Sequence, residues 1–132
     1  MENKEAKPIK PYLMDAVLEY CRDNGCSPYM MVAVDDYCVL PREYVRDNMI
    51  VFDLSDEAVN QLSITSDAVQ FQARFSGEVE NVYVPLNRVA AVTPLEYQEF
   101  ALRFEVTPTE KAPQTENSDG EEAPVRRPTR VK

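Results

Sequence analysis

The sequence predicts a mainly β fold with an N-terminal helix (α+β): a small β-barrel or sandwich with the helix packed on it, followed by a disordered C-terminal tail. Three observations carry that expectation. A stretch with helical apolar periodicity begins near Pro11 and stops at Asn24-Gly25; short apolar runs alternate with turn clusters from Ser27 to Val92; and beyond Thr107 large apolar residues are scarce until Val125. Short strands at regular spacing need a second layer to bury one face, and a lone helix supplies part of it.

Taken in order, the helix opens at Pro11, a residue favoured at a first helical position, and closes at Asn24-Gly25. Asp15, Glu19, Arg22 and Asp23 make one narrow polar stripe. Leu13, Ala16, Val17 and Tyr20 form one apolar row and Met14, Val17, Leu18 and Cys21 a second, rotated one. One row serves the core. The surplus predicts self-association, with Ala16 allowing close approach between Tyr12 and Tyr20.

The β-like runs are Tyr29–Val34, Tyr37–Leu40, Met49–Leu54, Val69–Phe75, Val82–Leu86 and Arg88–Val92. Turn signals at Asp35-Asp36, Arg46-Asp47-Asn48 and Gly77 separate several of them. In Val69–Phe75 the apolar Val69, Phe71, Ala73 and Phe75 alternate with Gln70, Gln72 and Arg74, as a half-buried strand requires. Pro85 cannot donate to a ladder and predicts a strand end or an edge. Ser55–Leu62 begins with a cap-like Ser and two acids, which predicts a short helix or turn. Thr93–Val106 opens on a capping-box pattern, Thr93 with Glu96, and Pro94, yet ends in strand-like alternation; a helical turn followed by a strand is expected.

Charge divides the chain sharply. Residues 1–105 hold 9 Lys/Arg against 18 Asp/Glu, residues 106–124 hold 1 against 5, and residues 125–132 hold 4 against none. An acidic body repels phosphate backbones, so nucleic acid is an unlikely partner. No run approaches the 18 or so apolar residues of a membrane span, and the N-terminus lacks an apolar signal region; a cytoplasmic protein with no membrane partner is expected. Cys21, Cys26 and Cys38 match no metal or disulfide spacing and read as buried free thiols. Histidine is absent and no phosphate loop or nucleophile motif occurs, so neither a catalytic site, a metal nor a cofactor is expected.

Several stretches combine into a likeness. "KPYLMDAVLEYCRDNGCSPYMMVAV", "LPREYVRDNMIVFDLSDEAVNQL", "VQFQARFSG" and "VPLNRVAAV", with a basic tip ending in Val-Lys, together resemble the SspB (stringent starvation protein B) family. The likeness covers most of residues 8–92 and the last eight. It departs at "TPLEYQEFALRFEV", which replaces a Gly-containing stretch, and at the tip, Thr129-Arg130-Val131-Lys132 instead of Leu-Arg-Val-Val-Lys.

The resemblance implies a homodimeric adaptor for the ClpXP protease. Such adaptors bind the ssrA tag, a peptide added to the C-termini of stalled nascent chains, and their tail tip binds the N-terminal domain of the ClpX unfoldase. It divides the chain into a flexible N-terminus (1–7), a peptide-binding and dimerisation domain (8–106), an acidic linker (107–124) and a ClpX-binding tip (125–132).

Side-chain chemistry suits these roles. A peptide groove needs apolar floor residues, for which Leu54, Ala58, Val59, Phe71, Ala73 and Phe75 are candidates, and polar groups, for which Asp53, Ser55, Gln72 and Arg74 are. Phe71 and Phe75 share the parity of core residues, and Gln72 and Arg74 equally suit a solvated face. Ala58 and Ala73 leave room where a larger side chain would fill a groove. In the tip, Arg126, Arg127, Arg130 and Lys132 supply attraction, Pro128 stiffness and Val131 an apolar anchor. About 19 linker residues give a reach of roughly 25 Å. Two other readings remain at this level: a small-barrel nucleic-acid module using the basic tip, and a metal-free enzyme using Asp35/Asp36 or Asp53/Asp56.

Overall fold

The helix forms where its end signals place it. In a computed structural model describing residues 6–109, α1 spans Lys10–Asn24, with Pro11 in its first turn and Gly25 left-handed at φ 67°. Glycine adopts that conformation without a Cβ penalty. It lets the N–H groups of Gly25 and Cys26 both donate to the Cys21 carbonyl, satisfying an acceptor that the helix end leaves open. Met14, Val17, Leu18 and Cys21 are buried, whereas Tyr12, Ala16 and Tyr20 are exposed and Leu13 is half-buried. The second apolar row is the core row; of the first, the shared Val17 is buried, while Ala16 and Tyr20 are left outside.

Seven strands follow among the described residues: β1 (Pro28–Ala33), β2 (Met49–Asp53), β3 (Val59–Ile64), β4 (Ala68–Phe75), β5 (Glu78–Pro85), β6 (Val89–Pro94) and β7 (Leu102–Arg103). They build two antiparallel sheets, β2-β1-β6-β7 and β3-β4-β5. The fold is therefore mainly β with one N-terminal helix, as expected.

Turn chemistry sets the registers. Asp47 and Asn48 both have positive φ (53° and 63°), and Arg46 and Met49 exchange backbone hydrogen bonds across them at 2.8 Å. The same device, Ser76 and Gly77 at φ 54° and 83°, joins β4 to β5 with Phe75 opposite Glu78. Two successive positive-φ residues match the right-handed twist of the flanking strands. Between the sheets lie Met30 and Val32 of β1, Val69 of β4, Val84 of β5 and Val89 and Val92 of β6, each with no exposed surface, and Met14 of α1 closes over them.

Three expectations change. Val59–Leu62, expected within a short helix or turn, belong to β3, and only Ser55–Ala58 form a turn; pairing with β4 outweighs the local cap signal. Tyr37–Leu40 form no strand beyond a single bridge, Val39 to Tyr83. The Thr93/Glu96 capping box does not form: Thr93 pairs with Tyr29 inside β6, and the Glu96 carboxylate accepts the Ser27 N–H at 2.9 Å. The helical turn arrives later, at Gln98–Phe100, and β7 follows it. Of the thiols, Cys21 and Cys38 are buried and Cys26 is half-buried, all free. Burial pushes the Cys21 thiol up to about 11.

Asp35, at the turn after β1, is an internal ligand. One oxygen accepts the Tyr37 N–H (2.9 Å) and the Cys38 thiol (3.5 Å); the other accepts the Thr109 hydroxyl (2.6 Å) and lies 3.4 Å from Arg88 Nε. Desolvation pushes this carboxyl up, but the hydrogen bonds from Thr109, Tyr37 and Cys38, with Arg88, outweigh it and hold it below its ordinary value. Stability from such a group is complete above the unfolded-state carboxylate pKa and is lost as pH falls through the lower folded value. Asp35→Asn is expected to cost about 1–3 kcal/mol at neutral pH and to flatten the acid limb of stability. Urea titrations between pH 2 and 7 read both effects.

Candidate functional site

The residues expected to meet a peptide come from two places, the β2–β3 connection and β4. The Asp53 carboxylate accepts the Ser55 N–H at 2.9 Å, and the Ser55 carbonyl accepts the N–H groups of Ala58 (2.9 Å) and Val59 (3.1 Å). That turn delivers Val59 opposite Ala73 and Asn60 opposite Gln72 in the β3–β4 ladder. The register then slips: Gln61, at φ 57°, and Leu62 together face Phe71, a bulge that twists the edge strand.

Phe52 of β2 joins the two sheets here. Its ring meets Phe71 edge-on at 5.2 Å and Phe75 at 6.1 Å, and Tyr44 tilts over Phe75 at 5.2 Å while its hydroxyl hydrogen-bonds Ser76 Oγ at 2.6 Å. Leu54, Val59 and Phe71 are buried in the core, so they form the layer beneath the surface. Ala58, Ala73 and Phe75 are half-buried against that core. Asp53, Ser55 and Gln72 are half-buried and Arg74 is exposed, its guanidinium 3.4 Å from the Gly77 carbonyl. The result is a seam with an aromatic floor, two alanines and a polar rim.

Two strand edges are open. Among the described residues β2 pairs only with β1, and β3 only with β4. Each therefore presents a row of N–H and C=O groups to an incoming chain. Between α1 and β3 a cleft of about 580 Å³ is lined by Asp15, Glu19, Arg22, Asp56, Asn60 and Gln61 among others. A second, of about 370 Å³, lies against Cys26–Pro28 and Leu54–Glu57. Arg22 and Asp56 border both and pair at 3.2 Å, but each is over half exposed, so the bridge adds little stability. Tyr44, Arg22 and Gln61 were not foreseen. Tyr44 sits in a loop without periodicity, and the other two reach the cleft only through packing of α1 beside β3.

The exposed row of α1 forms a second candidate surface. Tyr12 is 59% exposed, and the Tyr20 ring meets Phe100 edge-on at 6.0 Å. Phe100 in turn packs on Tyr97 at 5.9 Å, and both remain exposed. The turn before β7 thus extends the Tyr12–Ala16–Tyr20 face with two further rings. At the other end of the helix, Lys10 lies 4.8 Å over the Phe104 ring, and desolvation lowers its pKa to about 8. The tip residues Arg126, Arg127, Pro128, Arg130, Val131 and Lys132 lie outside the described residues.

Among the described residues no three His, Cys, Asp or Glu side chains gather as a metal site, and no helix is long and apolar enough to cross a membrane. Comparison with known proteins gives a consistent result. The family model described as stringent starvation protein B matches residues 8–131. A Haemophilus influenzae protein named stringent starvation protein B homolog is 39% identical over 93 residues, covering 70% of this chain and 61% of that relative's length. A family match over nearly the whole chain, with a relative 39% identical over 93 residues, establishes that this chain belongs to the SspB family.

Proposed function

We propose that this chain is a proteolytic adaptor, not an enzyme, that holds ssrA-tagged polypeptides in the seam beside Ala58 and Ala73. Through its C-terminal tip it tethers them to the ClpX N-terminal domain, enhancing degradation by ClpXP in the cytoplasm. The observation that carries the reading is the seam: half-buried Ala58 and Ala73 packed against an aromatic core, with Asp53, Ser55, Gln72 and Arg74 beside them and open edges at β2 and β3. An extended peptide gains backbone hydrogen bonds from an open edge and specificity from side-chain pockets beside it. The acidic body and basic tip separate the two binding tasks by charge. Weak binding of a short tip is then offset by tethering, which raises effective concentration to the order of mM.

Two chains associate through the α1 face in this reading. Tyr12, Ala16, Tyr20, Tyr97 and Phe100 offer aromatic area around a small central residue. A two-fold axis through Ala16 makes the patch self-complementary. A dimer carries two tails, which adds avidity for ClpX.

Four experiments test these assignments. In fluorescence anisotropy, a labelled ssrA-tag peptide should bind saturably and its scrambled counterpart should not. Ala73→Phe should weaken tag binding by roughly tenfold or more, about 1.4 kcal/mol, with the circular dichroism melt still cooperative; unchanged binding would move the groove elsewhere. Removing residues 125–132 should leave the anisotropy curve intact and abolish the faster ClpXP degradation of a tagged substrate, and equal delivery would sink the tether. Ala16→Glu should convert a dimer to a monomer in light scattering, since a charge at the centre of an apolar interface is left unpaired.

A further inference from the structure

β7 pairs through only two residues, and no strand follows it among the described residues. Yet beyond β7 the segment is tied down repeatedly: the Phe104 N–H donates to the Ala90 carbonyl (2.9 Å) and the Thr107 N–H to the Asn87 carbonyl (3.2 Å). The Thr107 carbonyl accepts from Asn87 Nδ2 (2.7 Å) and from Arg88 Nη1 (2.9 Å). Thr109 Oγ1 accepts from Asn87 Nδ2 (3.1 Å) and donates to Asp35 (2.6 Å). The holders are themselves held, Arg88 Nε donating to the Ala33 carbonyl of β1 at 2.8 Å and pairing with Asp35. That pair is 16% and 22% exposed, against 54% and 70% for Arg22–Asp56.

The topology gives this cluster a purpose. β7 has two residues and sits at the edge of its sheet, so a pull on the tail would peel it from β6 one bond at a time. Asn87 and Arg88 immediately precede β6, and Asp35 follows β1, the two central strands of that sheet. Bonds at Thr107 and Thr109 therefore meet any tension before β7 does and pass it to the central strands. We propose that Asp35, Asn87 and Arg88 form a mechanical anchor that keeps tension on the C-terminal tail from stripping β7 and exposing the core beneath Leu102 and Phe104. The purpose rests on the tether reading above, because a tail held by an unfoldase is a tail under tension; the anchoring itself does not.

The experiment is single-molecule pulling of the full chain between handles at its two termini. The wild-type body should yield in one cooperative rupture. In Thr109→Val and Asn87→Ala, an early extension of roughly 28 Å, eight residues at about 3.5 Å each, should precede that rupture at lower force. Thr109→Val removes only one hydroxyl from a half-exposed residue, so it keeps the test valid where Asp35→Asn fails to fold. Wild-type traces containing the early step, or variants that rupture like wild type, would overturn the anchor. Loss of the tether through the 125–132 truncation result would leave these traces unaffected, so the two failures are distinguishable.

Discussion

The contact between Phe52 and the rings of β4 ties the two sheets together beneath the candidate seam. Phe52 lies in β2, an edge strand, and reaches across to Phe71 and Phe75 in the other sheet. Edge-to-face aromatic contacts add of the order of 1 kcal/mol beyond the area they bury. They also tie the edge strand β2 to β4, the central strand of the other sheet. Without that bridge, the Asp53–Ser55 turn and the β3–β4 ladder would lose their shared floor.

The helix shows how a small domain divides limited apolar surface. With one face packed onto the sheets through Met14, Val17, Leu18 and Cys21, the helix leaves Tyr12, Ala16 and Tyr20 exposed. A domain of this size surrounds a helix only partly, and the exposed Tyr12–Ala16–Tyr20 row is that remainder. The turn at Gln98–Phe100 enlarges the row, because Phe100 meets the Tyr20 ring edge-on instead of entering the core. The candidate seam and the exposed helix face therefore occupy different elements of the fold.

Charge and polar bonding follow the same division. The body carries a twofold excess of acids over bases while the last eight residues are wholly basic in their charges. Between them, Asp35 works as a structural carboxylate with both oxygens engaged, which removes it from the acid–base chemistry that an Asp35-Asp36 pair suggests. The sheltered pair of Asp35 and Arg88 ties Thr107 and Thr109 to the ends of the central strands of a sheet.

Elements with a local physical cause were legible in the sequence. The helix limits follow from Pro11 and Gly25, the two tight hairpin turns from Asp47-Asn48 and Gly77, and β4 from strict alternation around Phe71. The candidate seam residues on β4 and the exposed helix row could be named because period 2 and period 3.6 fix which side chains share a face. Tertiary structure alone decided the rest. β3 is a strand because β4 pairs with it, despite a Ser55 cap signal and a bulge at Gln61–Leu62 that breaks alternation. Thr93 and Glu96 do not cap a helix because β1 and the Ser27 N–H compete for them. Phe71, legible as either floor or core, is a core residue because Phe52 covers it from the other sheet. Contacts between residues distant in the chain leave no periodic trace, so the partner of each face had to come from the fold.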